Sequence, residues 1–414
     1  MDKKIVDSDK KIIRDVALKQ LFYANSKQMQ QLKKEWYRHN ECKAGRPMVT
    51  VEMGTFYNDV IPPLLQCQGE LARSIESDIY CNFVNHALFD DDVIVPDYIG
   101  VDIPTYFTPF GINIAIDHAS DPNSLGHHFV EVIKDLGNDF HLLKKSTYGV
   151  NRQKGEETKA FLEDLLGDII PVRYKGRCLY SVPTQHIVHI MSMENMLFSF
   201  YDYPDEFKAM MNMLVTDYDE YYRFLEKEQL ILPTTASEPV AQGTFAFTNE
   251  LPGFDELAKR PFTTKDVWGF MDSQETTGIS LDIYKEFIFP YYKRISDNYG
   301  LLSYGCCEPV DPFWECISTL ENLRKVSISP WCNEEYMGEQ LAGKKIIYQR
   351  KPSPNYLGVG SQLDEESLRA HIKKTVTASN GCTLEFTQRD VYQLGNSFEK
   401  VKRYVEIIRE EYSR

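Results

Sequence analysis

The chain lacks any run of about 18 apolar residues that could cross a membrane as a helix. Met1 leads into a charged segment instead of the apolar core of a secretory leader, so no leader is expected. The nine cysteines among 414 residues are odd in number and scattered, which is not typical of a disulfide framework. Together these features predict a cytoplasmic protein without membrane contact, whose cysteines are free thiols or metal ligands.

Positive charge is also scarce in this sequence. The chain carries 46 basic against 61 acidic residues, which gives a formal net charge of −15. A surface of that sign repels phosphate, which argues against nucleic acid and anionic lipid as partners. No Gly-x-Gly-x-x-Gly segment follows a candidate strand, so a dinucleotide-binding fold is not favoured. The 25 tyrosines and 23 phenylalanines fit ordinary core packing, or a concave pocket for an organic substrate.

Short β-branched or apolar segments alternate with longer amphipathic ones along most of the chain. Residues 8–40 are typical of helices, and we interpret residues 1–40 as an N-terminal helical extension. The alternation over residues 41–414 predicts one α/β domain with a parallel sheet, either a closed (β/α)8 (TIM) barrel or an open sheet. The predicted strands are residues 49–53, 93–101, 178–182, 230–233, 267–271, 301–304, 326–329, 346–348 and 383–386. The predicted helices include residues 193–200, 204–227, 281–299, 364–378 and 397–412.

Polar side chains follow several of the predicted strands at the point where each strand ends. In a barrel of parallel strands those ends lie on one face, which is where the catalytic residues of such enzymes are found. An acid in that position can equally cap the helix that follows. The residues concerned are Glu52, Asp97, Gln185, His186, Glu238, Asp272, Gln274, Glu275, Cys306, Cys307, Glu308 and Glu385.

The sharpest local pattern is Tyr-Gly-Cys-Cys-Glu-Pro at residues 304–309, directly after an apolar segment. Adjacent cysteines at a strand end with a carboxylate beside them can form one corner of a zinc site. Cys382, at the start of the last predicted strand, is a candidate long-range ligand. A buried pair of free cysteines that only fills the core is the alternative interpretation.

Four segments, in order, carry a resemblance to a known family. They are Trp-Gly-Phe-Met-Asp-Ser-Gln-Glu at 268–275, Tyr-Lys-Glu-Phe-Ile-Phe-Pro-Tyr-Tyr at 284–292, Tyr-Gly-Cys-Cys-Glu at 304–308 and Val-Ser-Ile-Ser-Pro-Trp-Cys at 326–332. From about residue 40 onward the chain resembles uroporphyrinogen decarboxylase-like proteins of anaerobic bacteria. The resemblance implies a (β/α)8 barrel with its site at the carboxyl mouth. It also implies transfer of a methyl group from a methylated substrate to a separate corrinoid protein.

The resemblance further implies a set of metal ligands. Related methyltransferases hold zinc with a His-x-Cys segment and a distant Cys. In this chain Tyr304 stands at that histidine position, and Tyr392 stands at a second position where relatives often have histidine. Other residues would have to replace the missing ligand. The predicted zinc ligands are Cys306, Cys307, Cys382, Glu308 and Glu385.

Transfer of a methyl group needs assistance to the leaving heteroatom, either from zinc or from a proton donor. The predicted acid or orienting groups are Tyr304, Asp272 and Glu238. The alternative for Tyr304 is an aromatic lid packed in the mouth, and the alternative for His186 is a structural histidine. The predicted substrate contacts are Glu52, Tyr57, His186, Gln274 and Trp331.

The corrinoid is expected on a partner protein, because no Asp-x-His-x-x-Gly segment of a cobalamin-binding domain is present. That partner would dock over the barrel mouth, and a homodimer is a further expectation from the resemblance. Methoxylated aromatics, methylamines and thioethers all fit as methyl donors. A decarboxylase of the uroporphyrinogen type is one alternative, although Arg46 is the single cation in residues 46–54. A non-catalytic paralogue is the other, and the two missing histidines favour it.

Overall fold

A parallel sheet of seven strands forms the centre of the fold, in a computed structural model that describes residues 5–43, 45–52, 57–118, 126–395 and 397–413. The strands are β1 (Met48–Val51), β2 (Ile99–Val101), β3 (Thr105–Thr108), β4 (Ile116–His118), β5 (His127–Phe129), β6 (Thr147–Val150), β7 (Val172–Tyr174), β8 (Leu179–Ser181), β9 (Pro239–Val240), β10 (Thr244–Phe245), β11 (Trp268–Met271), β12 (Leu301–Tyr304), β13 (Leu323–Ile328), β14 (Ile347–Arg350) and β15 (Thr383–Gln388). The central sheet has the order β1, β15, β14, β13, β12, β11, β8, and its neighbours pair in parallel. The carboxyl ends of these strands therefore lie at one edge, the carboxyl edge, opposite the amino edge.

Helices and small sheets surround the central sheet. The small sheets are the antiparallel pairs β3–β6, β4–β5 and β9–β10 and the parallel pair β2–β7. The helices are α1 (Asp7–Ala24), α2 (Lys27–Asn40), α3 (Glu70–Cys81), α4 (Val84–Leu88), α5 (Leu136–Asp139), α6 (Arg152–Leu166), α7 (Pro183–Met191), α8 (Met193–Asp202), α9 (Pro204–Lys227), α10 (Phe254–Leu257), α11 (Leu281–Ile283), α12 (Phe289–Ser296), α13 (Trp314–Ile317), α14 (Glu334–Leu341), α15 (Asn355–Gly358), α16 (Glu365–Ala378) and α17 (Phe398–Tyr412). Within the described ranges, every helix is too short or too polar to span a bilayer.

The α/β prediction is confirmed, and each strand of the central sheet overlaps a predicted strand. One predicted strand is only partly confirmed, since residues 93–101 form a strand only at Ile99–Val101, and the strand predicted at residues 230–233 was wrong because none forms there. Each of these segments contains a proline, Pro96 or Pro233, which has no N–H to donate to a strand ladder. Residue 53, the predicted end of the first strand, lies outside the described residues.

The two N-terminal helices are bound to the chain that follows them. Trp36 of α2 is fully buried, and its indole N–H donates to the Asp92 carbonyl at 2.8 Å. Gln20 of α1 is also buried, and its amide donates to the carbonyl groups of Pro96 at 2.8 Å and Tyr98 at 2.9 Å. The residues predicted as a helical extension are thus part of the same core.

A buried ionic group joins two strands in the amino-terminal half of the sheet. Lys325 of β13 and Glu385 of β15 are both fully buried, with 2.8 Å between Nζ and Oε2. His39 Nε2 lies 3.1 Å from the same carboxylate oxygen. Although burial opposes ionisation, Lys325 and His39 lower the pKa of Glu385 to about 2. The carboxylate therefore stays charged at neutral pH and ties α2 to the two strands.

Replacement of Lys325 by methionine should destabilise the protein strongly, because it leaves the Glu385 carboxylate buried without its cation. We expect the free energy of unfolding to fall by about 3–5 kcal/mol. Lys285→Met is the matched control, since Lys285 pairs with Glu315 at the surface and such pairs contribute about 0–1 kcal/mol. Urea unfolding of the two variants measures the difference. Equal losses in the free energy of unfolding would show that the buried pair contributes no more to stability than the surface pair.

Candidate active site at the carboxyl edge of the sheet

The turn after β12 brings Cys306 to the carboxyl edge. The strand ends at Tyr304, and Gly305 then has a φ of +94°, a left-handed conformation that favours glycine. A Cβ on Gly305 would lie 3.1 Å from the Cβ of Ser327, closer than side chains normally approach. The Gly305 N–H donates to the Met271 carbonyl at 2.8 Å and fixes the turn against β11. The glycine therefore sets the position of the Cys306 thiol.

Hydrogen-bond donors surround the Cys306 sulfur. Cys307 Sγ and Arg389 Nη1 each lie 3.5 Å from it, and Lys351 Nζ donates to the Cys306 carbonyl at 3.1 Å. The hydrogen bond from Cys307, and then the charges of Lys351 and Arg389, lower the pKa of Cys306 to about 5 against the opposing effect of burial. The same hydrogen bond raises the pKa of Cys307, which keeps its proton. At neutral pH Cys306 is therefore a thiolate, the reactive form of cysteine.

The two cations beside Cys306 are themselves held in place. Arg389 Nε donates to Glu52 Oε2 at 2.6 Å, and although burial disfavours the charge, Glu52 raises the pKa of Arg389. Lys351 is buried and donates to the side-chain oxygen of Gln242. Burial lowers the pKa of Lys351, while the Cys306 thiolate acts in the opposite direction. Lys351 and Arg389 directly follow β14 and β15, so the sheet positions both.

Left-handed backbone conformations gather around this sulfur. In the turn between β9 and β10, Ala241, Gln242 and Gly243 have φ values of 43°, 59° and 77°. Asp390 has a φ of 58°, and its Oδ2 lies 3.4 Å from the Cys307 sulfur. Each non-glycine residue in such a conformation costs on the order of 1–3 kcal/mol and persists where the surrounding structure holds it, often at functional sites.

Two carboxyl groups lie beneath the Cys306 turn. Glu308 accepts hydrogen bonds from the backbone N–H groups of Ser273 at 3.0 Å and Cys306 at 2.8 Å, yet burial raises its pKa. Asp272 is 1% exposed, and burial, followed by the negative charges of Glu308 and Cys306, raises its pKa to about 9. Asp272 Oδ1 has no hydrogen-bond partner among the described residues. At neutral pH Asp272 is therefore a protonated acid whose Oδ1 is not engaged by another described residue.

Tyr304, a predicted catalytic residue, lies below the site rather than in it. Its hydroxyl is 2.8 Å from the hydroxyl groups of both Ser273 and Tyr284. The side chain is 1% exposed, and burial raises its pKa well above the ordinary value. This position fits a packed supporting residue better than a proton donor, and it also differs from the aromatic lid at the mouth that was the alternative interpretation.

Two predicted zinc ligands, Cys382 and Glu385, lie away from Cys306. Cys382 precedes β15 at the amino edge, where its thiol donates to the Gly338 carbonyl at 3.4 Å and lines a cavity of about 240 Å³. Glu385 is committed to the buried pair with Lys325. Because parallel strands put the start of β15 and the end of β12 at opposite edges, these residues cannot share one ion with Cys306. The predicted five-residue ligand set is corrected accordingly.

The residues left at the carboxyl edge do not fit a zinc ion either. Throughout the described part of the chain, no three His, Cys, Asp or Glu side chains are close enough together to hold a metal. The polar neighbours of the Cys306 sulfur are donors, and the guanidinium of Arg389 at 3.5 Å would repel a second cation. Glu308 already accepts two backbone hydrogen bonds. The thiolate thus has cationic side chains where the predicted site had a metal.

Three predicted substrate contacts follow strands of the central sheet at the carboxyl edge. Glu52 follows β1 and reaches the Cys306 cluster through its ion pair with Arg389. Gln274 begins the short 3-10 turn Gln274–Thr276 after β11. Trp331 lies just past β13 and is 75% exposed. Of these three, Glu52 has a direct bond to the residues around the thiolate.

His186, another predicted substrate contact, is packed among aromatic rings. Its ring centroid lies 6.2 Å from that of Phe107 and 6.0 Å from that of Tyr218. Burial, and then the neighbouring His189, lower the pKa of His186 to about 4. This neutral, packed imidazole matches the structural interpretation rather than a substrate contact.

A cavity of about 910 Å³ adjoins the Cys306 cluster, and the predicted residues Tyr57 and Glu238 line it. Both carboxyl oxygens of Glu238 are buried without a hydrogen-bond partner of good geometry among the described residues, and burial raises its pKa. Tyr180 also lines this cavity and stacks on Phe270 with 4.7 Å between ring centroids. Burial and the nearby Asp272 raise the pKa of Tyr180. Tyr180 therefore lies between the cavity and the residues around the Cys306 thiolate.

Four residues of the site were not among the predicted ones: Lys351, Arg389, Gln242 and Asp390. Lys351 and Arg389 directly follow β14 and β15, so their positions carry the same signal as the other polar residues that follow strands. Gln242 carried no comparable signal, because a left-handed turn outside any predicted strand brings it to Lys351.

The fold has a counterpart among solved structures. A methyltransferase from Methanosarcina mazei is similar with a TM-score of 0.53 and 12% sequence identity, over 92% of this chain and 99% of that one. No family model matches the chain, and no curated protein matches its sequence significantly. At this identity the likeness is one of fold, so the activity has to be argued from the residues at the site.

An Asp272→Asn substitution should stabilise the protein increasingly as pH rises. Asp272 keeps its proton in the folded state up to about pH 9, whereas in the unfolded chain it ionises near pH 3.9. Between those values only the folded state holds the proton, so the contribution of this carboxyl to stability falls as pH rises. We expect the free energy of unfolding of the variant, measured with urea, to exceed that of the wild type by roughly 1–3 kcal/mol at about pH 8 and by less at about pH 5. A gain that shrinks with rising pH would contradict the protonated state.

Proposed function

We propose that this protein is a methyltransferase that removes a methyl group from a small methylated substrate and passes it to a separate corrinoid protein. The observation that carries the proposal is a protonated carboxyl, Asp272, close to a thiolate, Cys306, beside a cavity of about 910 Å³. The four family-like segments support the same activity, and the fold likeness to the Methanosarcina mazei methyltransferase shows a fold that such an enzyme can have. A methoxylated aromatic or a methylamine-type compound is the proposed donor.

We also infer that the central sheet closes into a (β/α)8 barrel. Next to β1, the Asp92 N–H donates to the Val49 carbonyl at 2.8 Å. On its other side β2 pairs in parallel with β7, where the Lys175 N–H donates to the Val101 carbonyl at 3.0 Å, and the chain continues from β7 into β8. The chain from Asp92 to Val101 therefore runs from one edge strand towards the other, and it would occupy the eighth position.

Asp272 is the proposed proton donor. When the bond between methyl carbon and heteroatom breaks, the electron pair remains on the heteroatom, and a proton from Asp272 neutralises it. Asp272 Oδ1 has no hydrogen-bond partner among the described residues, so no neighbouring side chain competes for the proton of this carboxyl. The negative sulfur of Cys306 helps to hold the proton on Asp272 until the heteroatom becomes basic.

The corrinoid supplies a strong nucleophile for the methyl group, and its carrier protein would dock over the carboxyl edge. Two aromatic residues at this edge are well exposed: Trp331 at 75%, just past β13, and Tyr392 at 58%, shortly after β15. Aromatic residues are frequent anchors at protein interfaces. We propose that Trp331, predicted as a substrate contact, instead meets the partner.

Arg46 and the two cations beside Cys306 do not favour a decarboxylase for a polycarboxylate. Arg46, the cation compared with the arginines of such enzymes, donates to Asp92 at 2.7 Å and pairs with Glu35 at 2.9 Å. Lys351 and Arg389 at the carboxyl edge are engaged by the thiolate and its neighbours. A substrate with many carboxylates would need cations that are free to bind it.

Transfer of methyl groups to free cob(I)alamin, in place of the partner protein, tests the proposed function. A methoxybenzoate, trimethylamine and dimethyl sulfide are offered separately, and methylcobalamin is followed by its absorbance. We expect turnover with at least one donor, and a loss of about 10²–10⁴-fold in the Asp272→Asn variant. The wild-type rate should fall above about pH 9, where Asp272 loses its proton.

Asp297→Asn is the control variant, because Asp297 is an exposed residue that pairs with Lys293 at the surface. Its rate should match that of the wild type. An Asp272→Asn variant as active as this control would remove Asp272 from the mechanism. Absence of transfer from all three donors would overturn the proposed activity.

A further inference from the structure

We propose that Cys306 is itself the first methyl acceptor, so that the methyl group rests on its sulfur before it reaches the corrinoid. This role rests on the proposed function for the direction of transfer, whereas the reactivity of the thiol rests on the geometry of the site. It replaces the metal-ligand role that the sequence predicted for Cys306.

The contacts of the Cys306 sulfur suit a nucleophile. Arg389 and Cys307 approach it at 3.5 Å, and Lys351 lies beside it through its bond to the Cys306 carbonyl. Glu52 holds the guanidinium of Arg389 from the other side. An anion fixed between donors in this way exists at neutral pH without a metal. The sulfur therefore has a lone pair available for attack on carbon.

The backbone gives a second, independent observation. Three separate chain segments have left-handed residues here, namely Gln242, Gly305 and Asp390. Gln242 binds Lys351, Asp390 contacts Cys307, and Gly305 precedes Cys306. Strain of this kind persists when other interactions hold it, and it is concentrated at functional sites. The structure thus maintains the surroundings of this thiol at an energetic cost.

In the first step the Cys306 thiolate attacks the methyl carbon of the donor. The electron pair of the sulfur forms the S–C bond while the bond between carbon and heteroatom breaks. The heteroatom leaves with that bond's electron pair and takes the proton of Asp272. The products are S-methyl-Cys306, the demethylated donor as a neutral alcohol, phenol, thiol or amine, and the Asp272 carboxylate.

In the second step cobalt(I) of the corrinoid supplies an electron pair to the methyl carbon. The S–C bond breaks, its electron pair returns to the sulfur, and Asp272 recovers a proton from water. A thiol with a pKa of about 5 is a better leaving group than an ordinary cysteine with a pKa near 8.5. The donors around Cys306 therefore assist both steps, and the chain ends unchanged.

Deuterated methyl iodide is the probe for the first step. The protein is treated with limiting reagent, and the methylated cysteines are identified by peptide mass spectrometry. We expect Cys306 to react ahead of the eight other cysteines, at a rate that is flat over about pH 6–9 and falls below about pH 5. Cys382 is the internal control, because burial raises its pKa to about 11. Faster labelling of Cys307 or Cys382, or a Cys306 rate that still rises at about pH 8, overturns the proposal.

An Arg389→Gln variant tests the source of the reactivity. We expect labelling of Cys306 at about pH 6 to slow roughly two- to tenfold, because loss of one cation raises the pKa of the thiol by about one to two units. Arg403→Gln is the matched control, since Arg403 pairs with Glu365 at the surface. Lys351→Met gives the same test if Arg389→Gln unfolds. Equal rates in the variants and the control would rule out the cations as the cause.

Cob(I)alamin added to the methylated protein tests the second step. We expect the deuterated methyl group to leave Cys306 and appear in methylcobalamin, and a label that stays on Cys306 overturns the relay. If Cys306→Ser still transfers methyl groups from a donor to cob(I)alamin, the relay fails while the proposed function stands. If the wild type discharges its label but accepts methyl groups from none of the donors, the proposed function fails while the chemistry of Cys306 stands.

Discussion

The negative charge on the Cys306 sulfur is the feature around which the rest of the site is arranged. Arg389 and Lys351 face it, and Glu52 and Gln242 hold those two cations in turn. The strained turns on either side are explained by the same need, because they bring donors to an anion that is nearly buried. A buried ion without such partners would be neutralised by a shift in its pKa.

The residues that stabilise the fold and the residues of the candidate active site lie at different ends of the central sheet. In its amino-terminal half, Lys325 and Glu385 form a closed ion pair that holds helix α2 to the strands. At its carboxyl edge, Asp272 carries a proton, and its Oδ1 has no hydrogen-bond partner among the described residues. Cys306 carries a sulfur lone pair, and Arg389 approaches this sulfur no closer than 3.5 Å. Parallel strands make this division natural, since each crossover helix returns the chain so that the next strand ends at the same edge.

The sequence allowed the alternation of strands and helices, and the positions of Cys306 and Asp272, to be predicted, because a polar residue after an apolar strand is a local pattern. The predicted zinc ligands are not brought together in the fold, for a reason that the local sequence around each of them does not show. Cys382 precedes its strand and Glu385 lies within it, so neither reaches the edge where β12 ends. Gln242 could not be predicted, since its position depends on a left-handed turn that only the packed chain maintains.

Folding moves a proton from one side chain of this site to another. In an unfolded chain at neutral pH the thiol of Cys306 is protonated and Asp272 is ionised, since their pKa values are near 8.5 and 3.9. In the folded protein the order is reversed, with a pKa of about 5 for Cys306 and about 9 for Asp272. The two shifts oppose each other, so the pair binds the same number of protons in both states across the neutral range. An inert thiol and carboxylate thus become a nucleophile and an acid without any net exchange of protons with the solvent.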